Sequence, residues 1–154
     1  MLTNAEKNAI RQGLTNLSEV IPGYKERRQQ LRLMGAVALT IAKAPSGGSH
    51  ALVVEAPTGL GKSAALTLPS IVMSRARGLR VVLSSSTTTL QQQLIQKDLP
   101  ALAQAIPGSF TFAVAKGRAR YACPARMESA AAGESRDEGG PSGAQEAAAR
   151  LLES

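Results

Sequence analysis

The segment ALVVEAPTGLGKS, Ala51 to Ser63, constrains the fold more than any other part of the chain. ALVVEA is short and nearly all apolar, as expected for a strand buried on both faces. A glycine-rich turn follows at once, and a helical pattern runs from Lys62 to Arg77. Strand, glycine turn and helix in that order form a phosphate-binding loop. A side chain at Gly59 or Gly61 would stop the backbone N–H groups from curling toward a phosphate. With Thr58 they shape the cradle; Lys62 is placed to reach the β- and γ-phosphates and Ser63 to ligate Mg²⁺. The helix opening near Lys62 adds its N-terminal N–H groups. Ala56 stands where the usual pattern has its first Gly.

The alternation continues downstream. RVVLSSS reads as a second buried strand, TTLQQQLIQKDLPALAQAI as a helix interrupted at Pro100, and FTFAVA as a third strand. Pro69 falls near the middle of the Lys62–Arg77 helix and predicts a kink or break. Strand–helix–strand–helix–strand implies an α/β fold, a parallel sheet with right-handed crossovers. Two helices are expected upstream. Thr3 and Glu6 have capping-box spacing, and Ala9, Ile10, Leu14, Leu17 and Ile21 recur at steps of three and four before Pro22-Gly23. A second helical run covers about Lys25 to Lys43, and APSGGSH then forms a loop. From Pro124 the chain is rich in Ala, Gly, Ser and Glu. It reads as loop or disorder, with a short helix over Ala144–Leu152.

Charge is unevenly spread. Residues 1–123 hold 15 Lys/Arg against 5 Asp/Glu, and residues 124–154 hold 3 against 6. A basic body suits a polyanionic partner, because neutralising phosphates releases counterions. No run of 18 apolar residues is present, so no membrane span is expected. The N-terminus lacks the apolar stretch of a signal peptide. The single cysteine, Cys123, excludes an intrachain disulfide, which suits a soluble cytoplasmic protein.

Three further stretches, YKERRQQLRLM, LSSSTTTLQQQLIQKDLPAL and KGRARYACP, flank the loop. In this order and at these spacings they resemble the N-terminal motor domain of superfamily 2 helicases of the DinG/XPD type, from about Tyr24 to Pro124. KGRARYACP matches the Lys-Gly-Arg-x-x-Tyr-x-Cys-Pro signature of that family, in which an Ala opening the phosphate loop is ordinary. The resemblance implies a P-loop NTPase of RecA-like fold. Residues 1–22 would be an N-terminal amphipathic helix and 23–123 the first part of the motor domain. Residues 124–154 would be a low-complexity tail or the start of a degenerate iron–sulfur or arch-like insertion.

The flanking stretches have their own chemistry. Gln30 could offer its amide bidentately to adenine N6 and N7, which resembles the family's Q-motif. Arg27 or Tyr24 could stack on the base, and Gln29 is the alternative to Gln30. A solvated basic helix face explains these residues equally well. The six hydroxyl residues Ser84–Thr89 end a strand and begin a helix. The resemblance puts them at the family's motif Ia, which grips the single-strand backbone, with Ser85 and Thr87 as contacts. Simple N-capping is the plainer reading. Lys116, Arg118 and Arg120, with Tyr121, form a basic loop able to stack, suited to single strands.

In the family this last stretch leads to an iron–sulfur domain, and Cys123 falls on its first ligand. Four thiolates are usually needed to hold such a cluster, so none is expected here: either the remaining ligands lie beyond a truncation or the branch has lost the cluster. The CRISPR-associated DinG branch, with its degenerate cluster domain, is compatible with the tail and would make a CRISPR ribonucleoprotein complex a partner. No catalytic residue is visible. Asp98 is the only acidic residue between the loop and the tail, and Asp137-Glu138 sit in a Gly-rich stretch with no strand before them. The Mg²⁺-holding acidic box and the arginine fingers that ATP hydrolysis needs are missing. The expectation is an ATP-dependent helicase acting on single-stranded DNA, or RNA, with 5′ to 3′ polarity by resemblance. This chain would be its ATP-binding part, inactive alone. A small P-loop kinase or NTPase, and a non-catalytic nucleic-acid-binding module, are the alternatives.

Overall fold

A computed structural model of the protein describes residues 1–43, 50–117 and 120–131. The expected APSGGSH loop, Arg118, and the tail with its short helix lie mostly or wholly outside the described residues. The chain divides into two compact units, Met1–Phe112 and Ala113–Ser154.

The first unit is built on helices. α1 (Asn4–Val20) begins with the complete capping box. The Glu6 N–H donates to Thr3 Oγ1 at 3.2 Å, and the Thr3 N–H donates to Glu6 Oε2 at 2.7 Å. These bonds satisfy donors that a helix start leaves orphaned. α2 spans Arg28–Lys43, and α3 spans Lys62–Arg77 and ends at Gly78, in the left-handed region. α4 (Thr88–Gln93) runs through a π-helical turn (Leu94–Asp98) into α5 (Leu99–Ala105). α3 lies at the centre of this unit, packed by α1 and by α2, and α1 also packs on α5. Leu14 and Leu17 of α1, Leu33, Met34 and Val37 of α2, Ala65, Leu68 and Val72 of α3, and Leu99 and Leu102 of α5 make one apolar core.

The prolines act differently from each other. α3 is one continuous helix through Pro69, so the expected break does not occur. Leu68 and Pro69 are both fully buried, and packing on either side of the ring offsets the lost backbone bond to the preceding turn. At Pro100 the interruption does occur. The missing N–H and the bulk of the ring disturb the preceding turn, which widens so that the Leu99 N–H bonds to Leu94 O.

The expected parallel sheet is the main departure. Among the described residues no strand ladder forms. ALVVEA, RVVLSSS and the 110–115 segment are irregular chain without strand pairing. Val53 is 94% exposed and Val82 88% exposed, although both sit in runs composed like buried strands. A strand is defined by its neighbours, and these segments do not pair with one another.

Within the second unit, α6 covers Pro124–Ala131. No described helix is long and apolar enough to cross a membrane.

Candidate nucleotide-binding site

The loop Ala56–Ser63 joins the first strand-like segment to α3. Gly59 (φ 76°) and Gly61 (φ 80°) both lie in the left-handed region that side chains disfavour. Leu60 between them is buried. Gly61 is the N-cap of α3 and supplies no side-chain cap, so the first-turn N–H groups are not taken up by a capping side chain. The Ala65 N–H closes the first helical bond to Gly61 O at 3.0 Å. Lys62 and Ser63 occupy the opening turn; Lys62 is exposed and Ser63 half-buried. Lys62 Nζ donates to Ala56 O at 2.8 Å and Pro57 O at 3.4 Å, folding back over the loop.

Two residues from the α2 side grip the same loop. Arg27, exposed and just before α2, donates through Nη1 to Gly59 O. Gln30, in the first turn of α2, is only 2% exposed. Its Nε2 donates to Gly61 O at 3.2 Å, and its Oε1 accepts from the Tyr24 hydroxyl at 2.8 Å. Burial pushes the Tyr24 phenol above its ordinary pKa. Both ends of the Gln30 amide are engaged, and little of it is open to a base. Gln29 points elsewhere: with Arg32 and Leu33 of α2, Val54 and Glu55 before the loop and Pro57 within it, it lines a cavity of about 340 Å³. The structure therefore separates the two glutamines that the sequence left as alternatives. Glu55 adjoins the loop in the sequence itself, but the inward grip of Gln30 and the place of Arg32 beside the loop were not read from it. Both depend on how α2 packs against α3, which no local pattern encodes.

The expected strand-binding residues are engaged locally. Thr87 caps α4, its Oγ1 accepting from the Leu90 N–H at 3.3 Å. Ser85 Oγ donates to Thr87 O at 3.2 Å. In the second unit, Lys116 and Arg120 are exposed, and their backbone N–H groups bond to the Tyr121 hydroxyl at 2.8 Å and Gly117 O at 2.9 Å. Cys123 is an exposed free thiol.

A cradle of two left-handed glycines, an uncapped helix start, a lysine and a hydroxyl fits a nucleotide triphosphate with its Mg²⁺. The chain is similar to a fraction of several longer proteins. The chain is 37% identical over 132 residues to the ATP-dependent DNA helicase DinG of Photobacterium profundum, a match covering 86% of this chain and 19% of that protein. It is 38% identical over 133 residues to the protein of the same name from Escherichia coli, covering 86% of this chain and 18% of that one. The Salmonella typhimurium protein of that name is 37% identical over 133 residues, with the same coverage of 86% and 18%. The chain thus spans about a fifth of the length of the curated relatives it matches. No family model matches the chain.

Proposed function

We propose, from the premise that this chain is a DinG-type DNA helicase portion by its likeness to those relatives, that it forms the ATP-binding part of an ATP-dependent motor on single-stranded DNA. The observation that carries this reading is the loop itself: Gly59 and Gly61 in left-handed geometry directly before a 16-residue helix with no side-chain cap. In the proposal the N–H groups from Gly59 to Ser63 surround the phosphates, with Thr58 at the rim of the cradle. Lys62 leaves the carbonyls of Ala56 and Pro57 for the phosphate oxygens. That exchange trades two neutral acceptors for charged ones, which form the stronger hydrogen bonds. Ser63 holds Mg²⁺, and Arg27 and Gln30 support the loop from behind. Bound ATP supplies the phosphoanhydride whose cleavage powers the motor. The acidic box that would position water has no counterpart among Glu55, Asp98 and Asp137-Glu138, so hydrolysis needs residues outside this chain.

The DNA track in this reading combines Ser85 and Thr87 with Lys116, Arg118 and Arg120, and the polarity is 5′ to 3′. The segments around Val53, Val82 and Phe112 become strands of a RecA-like parallel sheet when further polypeptide pairs with them. The exposure of Val53 and Val82 supports this, since each lies in an apolar run with nothing covering it.

Titration of the chain with a fluorescent ATP analogue and Mg²⁺ tests the site. Lys62→Ala is expected to weaken binding at least about tenfold, the loss of one charge-assisted contact. An unchanged affinity sinks the loop assignment. For the motor, the ATPase rate of the full-length protein should rise with single-stranded DNA, and a rate indifferent to DNA and RNA refutes the helicase reading.

A further inference from the structure

Gln30 and Arg27 meet the phosphate loop through its carbonyls. Gln30 Nε2 donates to Gly61 O at 3.2 Å, and Arg27 Nη1 donates to Gly59 O. The orientation of the Gln30 amide is dictated by its neighbours: a backbone carbonyl can only accept, so the nitrogen must face Gly61, leaving the oxygen for the Tyr24 hydroxyl at 2.8 Å. The approach is close: a Cβ at 61 would meet Gln30 Nε2, so the amide would have to move off the Gly61 carbonyl to admit a side chain.

A carbonyl bond also aims an N–H. The trans peptide is planar, and its C=O and N–H point in opposite directions. The carbonyl of Gly61 shares its peptide plane with the N–H of Lys62. That oxygen also accepts from the Ala65 N–H at 3.0 Å, so the Gln30 bond is a second restraint on the same peptide plane, with the Lys62 N–H on the side away from α2. In the same way, Arg27 on the Gly59 carbonyl turns the Leu60 N–H away from itself. These are among the N–H groups that a phosphate would meet in a loop of this kind.

We propose that Gln30 and Arg27 are positioning residues that pre-aim the N–H groups of the phosphate loop, and that they support nucleotide binding irrespective of the base. The proposal rests on the nucleotide reading above and departs from adenine recognition by Gln30. A base reader loses ATP alone when it is removed; a loop-positioning residue loses every ligand that uses the loop.

The test is calorimetric titration of the whole chain with ATP, GTP and inorganic tripolyphosphate, each with Mg²⁺. Gln30→Ala is expected to weaken all three by a common factor of about tenfold. Gln30→Glu keeps the shape but sets a carboxylate against the Gly61 carbonyl, and should lose at least as much on all three. Tyr24→Phe leaves the Gln30–Gly61 bond in place and should cost only about two- to threefold, again uniformly. Arg27→Ala is the variant least able to disturb folding, because Arg27 is exposed, and it too should weaken the three alike. The fitted stoichiometry reports the folded fraction, so a merely structural defect lowers the stoichiometry and leaves the affinity of the folded molecules unchanged. That result overturns the proposal. A loss confined to ATP overturns it in favour of base reading. A wild-type chain that binds none of the three overturns the nucleotide reading, and this inference with it.

Discussion

Gly61 has three geometric demands placed on it. Its φ of 80° is left-handed, its carbonyl serves both Ala65 and Gln30, and its missing Cβ makes room for the Gln30 amide. Gly61→Ala meets strain and a clash together. It should cost about 1–3 kcal/mol in urea unfolding and abolish nucleotide binding at the same time. An alanine variant of normal stability would show that the loop relaxes without loss. Glu6 makes a different kind of prediction. Its carboxylate accepts from Arg77 Nε at 2.7 Å and Nη2 at 3.1 Å, and from the Thr3 N–H at 2.7 Å. The hydrogen bond from Arg77 outweighs the opposing effect of burial and, with help from Thr3, lowers its pKa from 4.5 to about 2. A depressed carboxylate pKa stabilises the fold above the unfolded value and loses that contribution as pH falls through the folded one. Wild type should therefore be more stable than Glu6→Gln at pH 7, with the gap closing between pH 4.5 and pH 2. Urea midpoints measured across that range check it; a gap constant with pH would remove the ion pair as its cause.

The helices show which elements a sequence specifies by itself. α1 was expected over Thr3–Ile21 and runs Asn4–Val20 with Thr3 as its cap; α3 was expected and found at Lys62–Arg77. Caps, apolar period and glycine stops are local signals, and both ends were legible for that reason. α2 begins at Arg28 rather than about Lys25 because no capping pattern marks its start. The behaviour of α3 at Pro69 was not legible, since what keeps the helix continuous is packing contributed by other elements. The loop glycines, Lys62 and Ser63 were readable as a pattern. The direction of Gln30 was not, because it depends on where α2 sits. The central helix concentrates the risk to the unit. Leu68 is fully buried between neighbouring helices, so Leu68→Ala leaves a cavity and should cost about 2–5 kcal/mol. A loss under about 1 kcal/mol by urea unfolding would mean the helices close around the gap.

Among the described residues a helical core stands beside strand-like segments that have no strand partner. Val53 and Val82 are almost fully exposed, and Leu52, Val54, Leu83 and Phe112 are also exposed. Apolar runs with unpaired backbone are the usual template for association with another chain or another strand. The relatives, whose length this chain covers only by about a fifth, are long enough to supply strands from elsewhere. Replacing both valines by threonine separates the two situations, because threonine keeps the β-branched shape and strand preference while removing a methyl from any apolar contact. In the 154-residue chain the double variant should shift stability by no more than about 0.5 kcal/mol, as expected for surface positions. It should also bind less of a hydrophobic dye and aggregate less on heating. In the completed sheet proposed above the same pair should cost on the order of 1 kcal/mol per site, the penalty of a hydroxyl in a covered sheet. A large loss already in the short chain would mean that these segments are packed without help, and the proposed sheet completion would be wrong.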